Sequence, residues 1–597
     1  MDSNKRMILA VALSLAIFLI FNLLANHFLP KPKPSVLAQN AASASQATKP
    51  GVAPLPQAGT SLAQNSAAQN SPAPRVTITA PDVQGSISLR GAKIDDLVLT
   101  RYHTTVSPHS PLVTLLSRPG HAHSYFVQFG WDAPPGASFT LPTASTIWSA
   151  STGALTPGHD VTLSWTDPQN ITFKIILGID QRYMFTVHQQ ISNGSSSPVT
   201  AYPWSRIRRD YLPKVPGSLI MHKGPLGVFK GTLHTLNYVD TRSNAKNKPD
   251  GQAFSTTAPG GWAGITGKYW LTALIPTQDE TVTTAYRYRD VAGRKADDGA
   301  YQVDMVRSTP LSVAPGATAS MELRVFTGAK VLSILNAYGA QYHIPSFDKA
   351  IDFGILYLLT KPMFLALNTL GRIFGNFGVG IIVFTICLKL VLFPLVRTSF
   401  LSMAKMRDVA PKVAAVRERI KDDVGRQQKE IMALYKLEGV NPAAGCLPMV
   451  LQVPIFFALY KVIFITIEMR HAPFYLWVHD LSARDPTNIF NLFGLLPFHP
   501  STLLPLLHVG VLPILMGLAQ YGSQRLNPPP ADPAQARIMQ LMPVIYTIML
   551  ASFPAGLVLY YITNNFLTMV QQWIIMKLHH AHRLRVSAAA EKLPSKS

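Results

Sequence analysis

The chain has 597 residues, 48% of them hydrophobic and 14% charged, with a mean hydropathy of +0.17. That balance excludes a purely soluble enzyme and equally a chain lying wholly in lipid, and the length allows several domains. A formal net charge of +22 fits nucleic acid or anionic lipid as partner, and its distribution along the chain has to decide between them. The two cysteines, Cys387 and Cys446, imply no disulfide framework and no metal site, and read as small apolar fillers.

Residues 7 to 29 form an apolar segment preceded by Lys5 and Arg6. Its core is longer than that of a cleaved signal peptide, so an uncleaved anchor is expected, with a cytoplasmic N-terminus. Residues 30 to 75, rich in Pro, Ala, Ser and Gln, read as a disordered or extended linker. From Arg75 to Phe326 short alternating runs predict strands at 124–131, 171–179, 183–191, 301–306 and 321–326, with Asn193-Gly194 as a hairpin-type turn. Many strands without long helices predict an all-β sandwich of roughly 250 residues, outside the cytoplasm.

Beyond Gln341 the texture turns helical. Residues 351 to 371 predict an amphipathic interfacial helix interrupted by Pro362. The stretch from Ile373 to Val396 is long enough to span a bilayer and carries one charge, Lys389. A charge at that depth costs about 2.5–3.5 kcal/mol on insertion scales, which makes a functional reading the default. Snorkelling is the alternative, over roughly 12 Å of helix to Arg397. Four further spans are expected at Leu447–Ile467, Leu503–Tyr521, Ile538–Ser552 and Gly556–Met576, giving six with the anchor. Lys461, near the end of its span, reads as snorkelling to the outer interface.

Charge asymmetry supports that topology. Arg397–Glu438 carries ten Lys/Arg against six Asp/Glu, and Lys577–Ser597 five against one, whereas Glu468–His499 holds only Arg470 and Arg484 as Lys/Arg. Both basic regions belong on the cytoplasmic side, facing anionic lipid and ribosomal RNA. Within the first of them, 402–423 and 425–442 predict a helical hairpin turning at Gly425 and stopping at Asn441-Pro442. Its seam is Met406, Val409, Val413 and Val416 against Ile431, Leu434 and Leu437. Docking and a purely structural role both stand open for it.

Tyr561, Asn564, Thr568 and Gln571 recur at helical spacing on one face of the last span, flanked by Asn565 and Gln572. Gln540, Pro543 and Thr547 repeat the pattern one span earlier, Gln452 lies in the Leu447–Ile467 span, and Thr385 stands four residues before Lys389. Such stripes either bond helices together or line a wet cavity. No acidic partner for Lys389 occurs at matching depth, which favours the cavity. Nucleophile, phosphate-loop and metalloprotease motifs are missing, the His479-Asp480-Ser482 group reads as a loop hydrogen-bond cluster, and Asp82, Asp95 and Asp96 suggest no paired carboxylates. A channel or transporter, and a membrane-anchored periplasmic sugar-binding protein, remain as alternatives.

The runs at 402–407, 441–460, 472–486, 538–547 and 553–565 resemble the YidC/Oxa/Alb family of membrane protein insertases, in the Gram-negative form with a large periplasmic domain. The resemblance is specific over roughly 350 to 580 and architectural over the β region. It implies a β-supersandwich, six transmembrane helices with a five-helix core, and a hydrophilic groove open to the cytoplasm and closed outside. The implied divisions are an anchor (1–29), linker (30–75), periplasmic domain (76–340), interfacial helix and first core span (341–396), cytoplasmic hairpin (397–440), core spans two to five (441–576) and basic tail (577–597). Lys389 stands where the family carries a groove arginine, keeping the charge but losing the forked guanidinium. Thr385, Gln452, Phe456, Tyr560 and Tyr561 fall on groove or substrate positions, joined by Asn564, Thr568 and Gln571. Docking would fall to Lys405, Arg407, Lys412, Arg417 and Arg419. The implied activity is insertion of nascent inner-membrane proteins, alone or with the Sec translocon, with the ribosome and anionic lipids as partners. No DNA, cofactor, metal or covalent chemistry is implied.

Overall fold

The computed structural model describes residues 73–121, 123–213, 221–291, 294–295, 298–420, 423–440, 447–494, 496, 509–526 and 533–591. The anchor expected at 7–29, nearly all of the linker, the Asn441-Pro442 stop, Cys446 and the start of the span expected at Leu503–Tyr521 lie outside them.

The β region alternates buried and half-exposed positions, as in Ile171–Ile179, because successive side chains leave opposite faces of a strand. It forms two almost wholly antiparallel sheets, one of eleven strands and one of nine among the described residues. Tyr125–Asp132, Val199–Arg209 and Ala300–Arg307 lie at the centre of the larger; Met184–Asn193 and Thr318–Ala329 pair in the smaller. Their apolar faces close on one core that includes Val127, Phe173, Phe185, Trp262, Val303 and Phe326. All five predicted strands are present. Asn193-Gly194 is not a hairpin turn: Met184–Asn193 pairs with its neighbours in one sheet, and the next strand, Val199–Arg209, lies in the other. The Asn193 amide holds this crossing by donating to the carbonyls of Ser197 and Val313, at 2.8 and 2.9 Å. Asp82, Asp95 and Asp96 each pair with an arginine: Arg101, Arg75 and Arg118. The buried Asp304 lies between Arg206 and Arg287, at 2.5 and 3.2 Å.

Helix α1 (Tyr238–Ala245) decorates this domain and α2 (Leu332–Gln341) leads out of it. The helical part follows as α3 (Tyr357–Ile373), α4 (Phe377–Val391), α5 (Phe393–Arg419), α6 (Val424–Leu437), α7 (Leu447–Ile465), α8 (Val511–Leu526), α9 (Pro533–Leu550) and α10 (Ala555–Glu591). Helix α3 starts later than expected and runs through Pro362 unbroken, burying Met363, Phe364 and Leu367 while leaving Leu358 90% exposed. Asn376 caps α4 by accepting from the N–H groups of Gly378 and Val379. The expected first span is not one straight helix. It bends by 68° between α4 and α5, where Pro394 in the first turn of α5 can donate no backbone bond. Helix α10 runs on through residues expected to form a tail. Among the described residues no single helix is long and apolar enough to cross a membrane, but the bent α4–α5 pair is. Leu390, Leu518, Leu541, Val544 and Phe566 are exposed around the bundle, and Cys387 is exposed rather than a packed filler.

The α5–α6 hairpin turns differently from the expectation. Asp423, not Gly425, makes the corner: its carboxylate accepts the N–H of Arg426 at 2.9 Å, and Gly425 is already inside α6. At the far end Gly439 adopts φ +61°, and Val440 N–H donates to Tyr435 C=O at 2.9 Å, a Schellman closure. That closure folds Val440 onto Val409 and Val413, with Met406, Ile431, Leu434 and Tyr435 around them. Leu437, assigned to the seam, is 84% exposed, and Val416 lies outside the cluster.

Ionic contacts join the two parts. Lys461 does not snorkel: its ammonium donates to Asp352 at 2.8 Å, and the same carboxylate accepts His222 N–H at 2.8 Å from the β-domain. Arg470 donates to the carbonyl of His103, and Lys268 stands 3.8 Å above the Phe464 ring. Lys330 is buried nearby and donates to Thr266 Oγ1 and Gly267 C=O, at 3.0 and 2.8 Å.

Removing Asp352 leaves a nearly buried ammonium without its carboxylate, so Asp352→Ala should cost about 3 kcal/mol. A detergent-phase unfolding midpoint unchanged from the parent would refute that weight. Burial pushes Lys330 down to about 7 and Lys268 to about 8. Both values lie below that of an unfolded lysine, so the penalty for charging them in the folded state is greatest below these values and fades as pH rises. Thermal midpoints should therefore climb from pH 7 to pH 9, with a shallower slope in Lys330→Met.

Candidate functional site

Helix α10 packs against α4, α5, α7 and α8, and its polar residues are divided among these neighbours. One face meets α4. Lys389 Nζ donates to Thr568 Oγ1 at 2.8 Å, Thr568 donates in turn to Asn564 C=O at 2.6 Å, and Gln571 Nε2 reaches Lys389 C=O at 3.5 Å. Asn564 is buried, and Gln571 Oε1 is buried with no partner. Among the described residues no carboxylate pairs with Lys389.

Two turns earlier α10 meets α7. Gln452 Nε2 donates to the hydroxyl of Tyr560, a fully buried side chain, at 2.6 Å. The Phe456 ring lies 5.5 Å from Tyr561 and 6.2 Å from Phe553, so an aromatic wall continues from the Gln452 contact. Tyr560 and Tyr561 are themselves in edge contact at 5.6 Å. Eight residues separate Tyr560 from Thr568, roughly 12 Å along a helix, so the aromatic and cationic stations lie at different depths.

The residues assigned to a groove fall into two separate sets of four, Lys389, Asn564, Thr568 and Gln571 against α4 and Gln452, Phe456, Tyr560 and Tyr561 against α7. Thr385 stands apart: it is buried, and its hydroxyl turns back to Ile381 C=O at 2.6 Å instead of meeting Lys389. The α8 glutamines Gln520 and Gln524 are missing from the sequence-based expectation, and Gln520 meets Asn565, one of the two flanking residues. Gln520 Oε1 accepts from Asn565 Nδ2 at 2.9 Å, Gln572 Nε2 donates to Leu526 C=O at 3.0 Å, and Gln524 Nε2 donates to Met539 C=O at 2.6 Å. The i, i+4 spacing of Gln520 and Gln524 on an apolar helix is the signal that could have found them.

The basic hairpin residues divide similarly. Lys405 and Arg407 are exposed. Lys412 pairs with Glu438 at 2.5 Å, and Arg419 with Glu430, so these two hold α5 to α6. Arg417 is half-buried, and its carbonyl accepts from Gln427. The base of α5 is tied to the extension of α10 by Val396 and Phe400 against Ile575, and by Asp408 facing His579 at 3.4 Å.

Fold and site define a helical bundle with exposed apolar flanks, seamed with polar residues along its last helix and carrying a β-sandwich. The model of the 60Kd inner membrane protein family matches residues 369–582, and that of the YidC periplasmic domain matches 75–366. The membrane protein insertase YidC of Acidiphilium cryptum is 58% identical over 584 residues, covering 96% of this chain and 97% of that one. Its counterpart from Granulibacter bethesdensis is 48% identical over 579 residues, covering 96% and 98%. A solved structure of an active YidC insertase with its first transmembrane domain resolved aligns over 84% of this chain and 92% of its own, at 17% identity and a TM-score of 0.35. The chain belongs to the YidC family of membrane protein insertases, in the form with a periplasmic domain.

The Gln452–Tyr560 bond should carry a coupling of about 1 kcal/mol in a double-mutant cycle of Gln452→Ala and Tyr560→Phe. Additive effects on the thermal midpoint would show that the contact holds nothing.

Proposed function

We propose that the protein inserts nascent inner-membrane proteins through the seam between α4, α7 and α10, without covalent chemistry. The observation that carries this reading is Lys389: an ammonium among apolar helices, donating to Thr568 and paired with no carboxylate among the described residues. Such a charge is expensive in lipid and becomes tolerable where water or an acidic substrate reaches it.

Both termini and the α5–α6 hairpin then face the cytoplasm, and residues 30–350 the periplasm. The nascent chain docks first on the hairpin. Lys405 and Arg407 are the residues that receive it, because Lys412 and Arg419 already hold α6 through ion pairs. A polar N-tail or loop enters beside Lys389, Asn564, Thr568 and Gln571, which shortens the dehydrated path ahead of it. The hydrophobic segment moves past Phe456 and Tyr561, offering apolar rings to its side chains, and leaves into lipid. Burial of its apolar surface drives the step. The ribosome, the Sec translocon and anionic lipid belong to this reading as partners of the cytoplasmic face, and the excess basic charge of Arg397–Glu438 supports the first and the last.

Lys389→Arg is expected to keep activity, and Lys389→Glu to abolish insertion of substrates with acidic N-tails in a depletion strain. Normal insertion by the Glu variant would remove the electrostatic role. Photocrosslinkers at Gln452 and Tyr561 should capture a stalled nascent membrane protein. Cysteines along the α10 seam should label from the cytoplasmic side; labelling from both sides would identify a channel instead.

A further inference from the structure

The described part of the segment between α7 and α8 carries exposed apolar side chains at two tips. Tyr475 is 60% exposed, Leu476 80%, Leu492 54% and Phe493 56%, while Asp485 is 1% exposed and Asn488 4%. Between the tips Val478 and Leu481 pack inward, and His479 and Arg484 face outward. Clustered exposed apolar groups mark a surface made to be covered.

The arrangement is imposed by the backbone. Leu476, Leu492 and Phe493 have φ values of 61°, 50° and 60°, a region that bulky residues enter only when their surroundings compel it. Phe493 N–H donates to Asn488 C=O, and two carboxylates brace the neighbouring backbone, Asp485 buried and Asp480 half-buried. Asp485 accepts from Thr487 N–H and hydroxyl through one oxygen and from Leu512 N–H, in the first turn of α8, through the other, at 3.0, 2.7 and 2.7 Å. Asp480 accepts from Ser482 N–H and hydroxyl, both at 2.8 Å, and from His471 N–H at 3.2 Å.

These bonds fix the height of the loop. Leu481 C=O accepts Gly556 N–H at the start of α10, and the Phe474 ring fills the space over Gly378 at the start of α4. Ile489 N–H donates to Val509 C=O just before α8. The apolar tips therefore stand level with the helix ends on the side of the periplasmic domain. One tip adjoins the α3–α4 corner, where Ile373 is 68% exposed and Phe374 49%, and α3 continues that apolar surface through Leu358.

We infer that the tips at Tyr475–Leu476 and Leu492–Phe493 are seated in the outer leaflet of the inner membrane, as two apolar feet holding the periplasmic cap to the bilayer surface. The occupant is phospholipid acyl chain: the tips continue the apolar surface of α3 and of the lipid-facing bundle, and they crown the ends of helices of a membrane family. Interfacial seating places such side chains at the boundary of headgroups and acyl chains. The feet would hold the cap at a constant depth while substrate moves below it.

The test uses full-length protein with Cys387→Ser and Cys446→Ser in phosphatidylglycerol–phosphatidylethanolamine vesicles. An environment-sensitive fluorophore is placed at Leu476→Cys, at Phe493→Cys and, for comparison, at the exposed β-domain position Ser145→Cys. Nitroxide on shallow acyl carbons should quench the first two about three-fold or more above the level at 145, with matching protection from aqueous iodide. Iodide access equal to that at 145 would overturn the proposal. Protection from iodide without nitroxide quenching would overturn it too, since protein rather than lipid would then cover the tips. No substrate is present, so a failure of the insertion mechanism would leave this measurement standing.

Discussion

Polar groups placed in an apolar bundle must find their partners within it, and in this protein most of them find those partners on α10. Lys389 of α4 meets Thr568, Gln452 of α7 meets Tyr560, and Gln520 of α8 meets Asn565. Leucine against lipid distinguishes poorly between one helix neighbour and another, so these directional bonds set which helices adjoin and in what register. Lys389 is satisfied by the neutral hydroxyl of Thr568 and has no countercharge among the described residues, and the proposed function rests on that.

Attachments at the two ends of the bundle contrast in strength. The periplasmic domain is joined by the Asp352–Lys461 pair, Arg470, the Lys268–Phe464 contact and a continuous apolar core. Among the described residues the hairpin has three buried side chains of its own and, between its two helices, two ion pairs with exposed basic partners, pairs that water and salt weaken. Local stability follows buried contact, so the hairpin opens and reorients more readily than the cap. The proposed function would use that difference, with the hairpin as the adaptable receiver of nascent chains.

Where sequence and structure disagree, the cause is shared. Glycine suits turns, which points to Gly425 as the hairpin corner, but the Asp423 carboxylate caps α6 and Gly439 makes the left-handed turn that folds Val440 inward. Lys461 stands about two turns from the charged end of its span at Glu468 and Arg470, which points to the interface; its partner Asp352 comes from a segment more than a hundred residues away. Helical spacing alone puts Thr385 beside Lys389, yet a threonine in a helix can satisfy itself on its own backbone, and this one does.

Periodicity, charge asymmetry and the short motifs determined the two-part architecture, five of the strands, most of the helices and the polar face of α10. Those features are local: a side chain repeats at a fixed interval along its own element, and the sequence displays the interval directly. Tertiary structure alone decided which polar residue meets which, where the first span bends, how the β-domain is bonded to the bundle, and that the α7–α8 loop turns apolar side chains outward at two tips. Each of these depends on groups far apart in the chain, or on a backbone conformation held by them, and no interval in the sequence encodes a distance between separate elements.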